Sequence, residues 1–415
     1  MRIGLFTETY PPQINGVSTS LTMLKKALEE EGHTVYLVTS NPNSALKYDW
    51  DEENKILKVP GIKTGIYDYR LSAVYPARVI TKIKKWNLDI IHSHHEFGIG
   101  NMAVILSKEF NIPLVHTLHT MYEDNLYYIT RGHFQKFSKG VLKRFLKFYC
   151  VKECEELVVP TEKVYNWLKY DYKFKKDISI IPSGIDTSRF YRNNLDKDTI
   201  TSLKKHYKIK DKDYILLAVG RVAPEKSLDY LIKRMPDIVK KHSNIKLMIV
   251  GDGPELNKLK DLTISKKVEK NVLFTGKVTW DDMPYYYALG DLLVSSSTYE
   301  TQGLTVVEAM ASGIIPICID DPAFKTMINT GINGLLFKTK EEYIEDVLKV
   351  YEDKNLRDNL KKNAKRRAED FNAENYAKKL LEVYDKAINN KKTKGLIRKI
   401  TKIIKGDKKD DYSVE

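Results

Sequence analysis

At 415 residues the chain is longer than a single hydrophobic core organises, so two domains are expected. A hydrophobic share of 42% supports compact folding, and a net charge of +14 points to an anionic partner, either a membrane surface or nucleic acid. No apolar run approaches the ~20 residues of a membrane span, and Cys150, Cys154 and Cys318 lack histidines arranged as zinc partners, so reduced, buried thiols are expected.

The chain enters a strand at once, Ile3 to Phe6, and meets Glu8, a pattern unlike a signal peptide. Further β-rich runs at Val35 to Val38, Asp89 to Ile91, Leu114 to His116 and Leu157 to Val159 alternate with amphipathic stretches, which predicts a parallel sheet covered by helices. Pro182-Ser183-Gly184-Ile185-Asp186 and the polar stretch Arg192 to Asp198 read as a turn and a linker, placing a domain boundary near residue 195. A second series follows at Ile215 to Val219, Lys246 to Val250, Val272 to Phe274, Leu292 to Val294 and Ile315 to Ile319. After Phe371 a helical run reaches about residue 390 and is expected to pack back across the domains. Ligands of open α/β sheets bind beyond the carboxyl ends of the strands, so the loops Thr7 to Gly16, His92 to Glu96, His119 to Asp124, Gly220 to Lys226, Gly251 to Glu255 and Tyr299 to Gly303 should hold the chemistry.

The most informative of these loops carries two glutamates, Glu300 and Glu308, in Glu300-Thr301-Gln302-Gly303-Leu304-Thr305-Val306-Val307-Glu308. A helix-forming run begins at Leu304, and a helix start offers free amides to an anion. Glu308 sits one turn into that helix, where a carboxylate can accept hydrogen bonds from neighbouring sugar hydroxyls. The segment suits a diphosphate joined to sugars. The competing reading is a plain turn glycine, surface bases and a helix salt bridge.

The ordered set Asn15-Gly16-Val17, Pro182-Ser183-Gly184-Ile185-Asp186, Gly220-Arg221-Val222-Ala223-Pro224-Glu225-Lys226 and the paired glutamates resembles the retaining glycosyltransferases of family 4. The resemblance covers nearly the whole chain through about residue 390. It implies an α/β chain with two facing Rossmann-like domains, the GT-B fold, and a deep interdomain cleft. The expected division is an acceptor- and membrane-facing domain at 1–195, a nucleotide-sugar domain at 196–370, a C-terminal helix at 371–390, and a basic amphipathic segment with an acidic tail at 391–415.

The resemblance also implies roles. His119, Arg221, Lys226 and Glu300 are the expected catalytic set, with His119 at the donor sugar and Glu300 holding the transferred sugar. Gly16, Gly251, Gly253, Val278, Gln302, Gly303, Leu304, Thr305 and Glu308 are expected to contact the nucleotide sugar, Glu308 at its ribose. No cofactor and no essential metal is implied. The neighbouring His92, His94 and His95 lack carboxylates at a metal-binding spacing, which favours hydrogen bonding. Glu96 and Asp124 are acceptor-site candidates. The sequence offers no clear nucleophile for double displacement, and relatives are thought to use front-face substitution, so no catalytic base is assigned.

Most members carry an aromatic residue where Gln302 stands, whereas Glu300 to Thr305 and His119-Thr120-Met121-Tyr122-Glu123-Asp124 are similar to bacterial diacylglycerol glucosyltransferases. That likeness implies transfer of glucose from UDP-glucose to 1,2-diacylglycerol at the inner face of the cell membrane. A phosphatidylinositol, another envelope lipid or a soluble sugar stays open as acceptor, as do galactose and mannose as the donor sugar. Two stripes could meet an anionic membrane surface. One is Val141, Leu142, Phe145, Leu146 and Tyr149 among the bases of Lys139 to Lys152; the other is Leu396, Ile397, Ile400, Ile403 and Ile404 within Lys394 to Lys405. Both could instead pack inward, and the tail from Asp407 is expected to be disordered. Nucleic-acid binding is the alternative of a different class. It rests on charge and 26 tyrosines, without a basic aromatic recognition motif.

Overall fold

The computed structural model describes residues 1–13, 15–63, 70–72, 77–121 and 135–406, with the side chains of 63, 71, 135–139, 151 and 394–406 excepted. Asp124, the side chains of Lys139 and of the stripe from Lys394 to Lys405, and the tail from Asp407 therefore lie outside what is described. Two compact units make up the chain. The first holds residues 1–160, 164–181 and 376–415, and the second holds 161–163 and 182–375.

In the first unit the strands are β1 (Arg2–Phe6), β2 (Thr34–Ser40), β3 (Asp49–Asp51), β4 (Ile56–Val59), β5 (Ile62–Lys63), β6 (Arg70–Leu71), β7 (Ile90–Ser93), β8 (Leu114–Thr117), β9 (Glu156–Val159) and β10 (Ile178–Ile180). Eight of them form one sheet in the order β10-β9-β8-β7-β1-β2-β4-β3, and β5 pairs with β6. All pairs in the large sheet are parallel except β3 on β4. The central strands read as unbroken apolar runs because helices cover both faces of a parallel sheet. Ile3, Leu5, Val35, Leu37, Ile90, Ile91 and Leu157 are fully buried. Helix Gly16–Glu30 buries Leu21, Leu24 and Leu28 at helical spacing, and helix Gly98–Glu109 buries Ile99, Met102, Ala103 and Leu106.

The second unit contains β11 (Tyr214–Val219), β12 (Ile245–Val250), β13 (Val272–Phe274), β14 (Leu292–Ser295), β15 (Ile315–Ile319) and β16 (Leu335–Phe337), all parallel, in the order β13-β12-β11-β14-β15-β16. Numbered from its own first strand this is 3-2-1-4-5-6, the doubly wound order whose strand sequence reverses between the first and fourth strands. The crevice outside that reversal lies at the carboxyl ends of β11 and β14. In the first unit the same reversal falls between β1 and β7.

The division between units falls at Pro182, ahead of the expected residue 195. The turn at 182–186 belongs with the second unit because Ile185 bridges Asn372 and Phe190 joins that unit's core. The polar stretch expected as a linker is instead a 3-10 turn, Arg192–Asn194, and the start of helix Lys197–His206, where the Asp196 side chain accepts the Thr199 amide at 2.8 Å. The C-terminal helix runs Ala373–Gly406, and from Tyr376 onward it belongs to the first unit. There Tyr384 is buried and shares a hydrogen bond with His92 at 2.7 Å, while Asn390 donates to Glu156 at 2.7 Å.

The basic helix is divided. Gln135–Leu146 continues as a wider π-helical turn, Lys147–Glu153. Leu142, Leu146 and Tyr149 enter the core, so for these three residues the inward reading holds. Val141 and Phe148 stay exposed. All three cysteines are free and buried, and burial pushes the Cys150 and Cys318 thiols up. Among the described residues no helix is long and apolar enough to cross a membrane.

Candidate active site

The second unit builds its site at the strand reversal. After β11, Gly220 adopts φ +141° and the chain turns through Arg221, Val222 and Ala223 into the 3-10 turn Pro224–Lys226. After β12, Gly251 at φ +138° and Gly253 press against that loop. A Cβ on Gly251 would stand 2.0 Å from the Gly220 carbonyl oxygen, and one on Gly253 2.3 Å from that of Val222. Only glycine allows so close a backbone approach. The contact is fixed by the Val222 amide donating to Asp252 O at 2.9 Å and the Glu255 amide to Val222 O at 3.1 Å. Gly276 bridges Gly251, and Val278 packs part-buried against the core.

After β14 the chain folds onto the same turn. Ser296 Oγ donates to Ser227 O at 2.8 Å and Ser297 Oγ to Glu225 O at 3.2 Å. This brings Lys226 Nζ onto Glu300 Oε1 as an ion pair, with Arg221 Nη2 on Glu225 Oε1 at 2.6 Å. Burial would raise the Glu300 carboxyl, but the Lys226 ammonium, its hydrogen bond and that of Ser297 outweigh it, so Glu300 titrates below the ordinary range. Gly303 takes φ +83° and precedes helix Leu304–Ala311 without a side-chain cap. A Cβ there would lie 2.9 Å from the Phe324 ring. The first amides of that helix, including those of Leu304 and Thr305, form an anion-ready terminus.

One turn on, Glu308 Oε2 accepts a hydrogen bond from Tyr287 OH at 2.6 Å. Burial raises its carboxyl, opposed by that hydrogen bond and by the charge of Arg189. Gln302 is buried, and its side chain exchanges two hydrogen bonds with the Ser183 backbone. Sequence reasoning did not single out Tyr287, nor Thr161 and Lys163. Thr161 Oγ1 donates to Thr301 O at 2.8 Å, while Lys163 Nζ donates to Thr298 O at 2.8 Å and pairs with Asp321 at 2.9 Å. No local pattern marks them, because each partner is far along the chain.

In the first unit Gly16 opens helix Gly16–Glu30, capped by Asn15 Oδ1 accepting from the Ser18 amide at 2.9 Å, and Gly16 is exposed. His119 follows β8, partly exposed, with Nε2 3.0 Å from His94 Nδ1. Burial pushes His119 down to about 3, so it is a neutral imidazole at physiological pH. Beneath it runs a buried polar chain. Tyr149 OH and Ser93 Oγ share a hydrogen bond at 3.0 Å, Ser93 Oγ and His116 Nδ1 one at 2.7 Å, and His116 Nε2 and Glu96 Oε1 one at 2.9 Å. Glu96 is thus buried under His116. Among the described residues no group of three or more His, Cys, Asp or Glu side chains is arranged to hold a metal ion.

Comparison with known proteins accords with this geometry. Residues 199–367 match the family described as glycosyl transferases group 1, and residues 14–189 match glycosyltransferase family 4. The chain is 33% identical over 405 residues to the alpha-monoglucosyldiacylglycerol synthase of Acholeplasma laidlawii, covering 94% of this chain and 99% of that one. It is 32% identical over 403 residues to the enzyme of the same name from Streptococcus pneumoniae, covering 96% and 89%. Among solved structures, Anabaena HepE in complex with UDP-glucose superposes with a TM-score of 0.69 at 17% identity, covering 93% of this chain and 99% of that one. The chain belongs to the family 4 glycosyltransferases of the GT-B fold, among whose members it is similar to alpha-monoglucosyldiacylglycerol synthases.

Proposed function

We propose that the protein transfers glucose from UDP-glucose to 1,2-diacylglycerol, with retention at the anomeric carbon, to form alpha-monoglucosyldiacylglycerol at an anionic membrane surface. The observation that carries the donor reading is the Lys226–Glu300 ion pair beside the uncapped helix start at Gly303, with Arg221 held by Glu225 on the turn that bears Lys226 and Glu308 one turn further on. Cations and helix amides suit a diphosphate, and the two carboxylates suit hydroxyls of the sugar and the ribose. Val278 and the glycines Gly251, Gly253 and Gly276 are read as the wall of the base. His119 and Gly16 are read as donor contacts from the first unit. The names of the relatives support the lipid acceptor.

The membrane reading rests on one face of the first unit. Phe97 and Phe145 stack at 4.8 Å, and Phe97, Ile105, Val141 and Phe148 are each roughly half exposed. Lys108 and Lys152 lie over the Phe148 ring. Apolar rings framed by bases suit an interface with anionic lipid. A cytoplasmic protein, peripheral on the inner face of the membrane, would meet both the nucleotide sugar and the lipid.

The test is a reconstitution. Full-length protein is given UDP-glucose, UDP-galactose or GDP-mannose with anionic vesicles containing diacylglycerol, glucosyl-diacylglycerol or phosphatidylinositol. An alpha-glucosyl product on diacylglycerol is expected. Absence of any lipid product in every combination removes the proposal, and product on glucosylated lipid alone makes this a second-step enzyme.

A further inference from the structure

His94 Nδ1 and His119 Nε2 stand 3.0 Å apart, with ring centroids 5.3 Å apart and planes at 26°. Both rings are neutral, because burial lowers each and the other histidines lower them further. A hydrogen bond between two neutral imidazoles needs one N–H and one lone pair, so two tautomeric arrangements compete. If His119 Nε2–H donated, the single proton of His94 would sit on its Nε2, which is buried and has no partner among the described residues. If His94 Nδ1–H donates, only a lone pair is left bare. Buried N–H groups without an acceptor are the rarer defect in folded proteins. We propose that His94 is a positioning residue that donates its Nδ1–H to His119 Nε2 and so fixes His119 as the Nδ1–H tautomer.

The consequence is chemical. His119 then offers a donor on Nδ1, suited to an oxygen of the transferred sugar, and this step rests on the reading of His119 given above. The ring behind His94 is hydrogen-bonded at both of its nitrogens. The His92 ring lies 4.0 Å from that of His94 and is itself held by Tyr384 OH and Thr117 Oγ1, each at 2.7 Å. The titratable groups acting on the pair are His92, His95 and His116, while Glu96 is taken up by His116 Nε2 at 2.9 Å.

Nitrogen-15 NMR of histidine-labelled full-length protein reads the tautomer directly. In the wild type His119 should show a protonated Nδ1 and a bare Nε2. His94→Leu should mix the two forms and lower kcat/KM roughly 10- to 100-fold. His94→Gln keeps an N–H donor and should restore most of the rate, which separates positioning from simple loss of packing. Unchanged His119 shifts in His94→Leu, or a His119 protonated on Nε2 in the wild type, would overturn the proposal. Full turnover by His119→Ala alongside the expected shifts would instead remove the catalytic reading of His119 and leave the positioning intact.

Discussion

Gln302 and Ser183 exchange a pair of hydrogen bonds, the Ser183 amide donating to Gln302 Oε1 and Gln302 Nε2 donating to the Ser183 carbonyl, both at 2.9 Å. Gln302 thus joins the loop of Glu300 to the 182–186 turn. Its amide is spent on backbone rather than being wholly free for a sugar hydroxyl. Gln302→Ala leaves two buried backbone groups unpaired, and each such group costs about 1–3 kcal/mol. The expected result is a lower urea midpoint at unchanged slope. An unchanged midpoint would show that water satisfies Ser183 without help.

Lys226 and Glu300 pose a different problem, because the lysine both stabilises the fold and is proposed to meet phosphate. Lys226→Met strands a largely buried carboxylate, at a cost of about 3–5 kcal/mol. It should also reduce turnover by about 100-fold or more. Adding Glu300→Gln should return the stability without the activity. Glu300 titrates below its unfolded value of 4.5, so its contribution is present above that pH and is lost as pH falls through the folded value. In Lys226→Met this acid-sensitive step should shrink or reverse in a plot of Tm against pH, because burial then raises the carboxyl with only Ser297 and the charge of Lys163 to oppose it. An undiminished step would show that those two hold Glu300 down without Lys226.

The strands at the centre of each sheet were legible because burial on both faces leaves Val, Ile and Leu runs such as Ile215 to Val219 with little else to become. Ile56–Val59 was not, because Lys58 interrupts it and the antiparallel neighbour Asp49–Asp51 is short and polar. The stripe of the basic helix keeps its phase through the π-helical turn Lys147–Glu153, since Leu142, Leu146 and Tyr149 turn inward together and Phe148, which lies off the stripe, is exposed. That Glu300 and Glu308 share one loop and the helix it opens was readable from the sequence. Their partners were not, since Tyr287 reaches Glu308 and Ser183 reaches Gln302 only through the fold.

Glu8 gives the first unit a pH dependence. Its Oε1 accepts the Ile99 amide at 2.6 Å, and Oε2 is buried with no partner among the described residues. Burial pushes the carboxyl up to about 8 against the amides of Ile99 and Ser72. A raised folded value means that the native state holds this proton between pH 4.5 and about 8 while the unfolded chain has released it. Stability from Glu8 is therefore full below 4.5 and is lost as pH rises through about 8, a span on the order of 5 kcal/mol. Glu8→Gln should flatten that decline in chemical denaturation between pH 5 and 9. An equal decline in the variant would assign it to other groups.

Arg189 ties the turn Thr187–Phe190 to the loop expected at the nucleotide base. Its guanidinium carbon lies 3.1 Å from the Trp280 ring centroid, Nη2 donates to the Trp280 carbonyl at 3.2 Å, and Asp281 is 3.7 Å away. Trp280 follows Gly276 to Val278 with only Thr279 between, so releasing it loosens the wall against which a base would pack. The charge of Arg189 also lowers the Glu308 carboxyl, and its loss would let burial raise Glu308 further. A stacked cation of this kind contributes about 1–2 kcal/mol. Arg189→Ala should accordingly weaken UDP binding about 5- to 30-fold. Trp280 emission should change at the same time, as its ring loses the cation. Arg189→Lys keeps the charge near Glu308 but not the planar stack or the fork of donors, so it should recover only part of the affinity. Calorimetric titration of UDP into the three proteins decides the point, and a UDP affinity in Arg189→Ala within twofold of the wild type would show that the base loop holds its shape without the arginine.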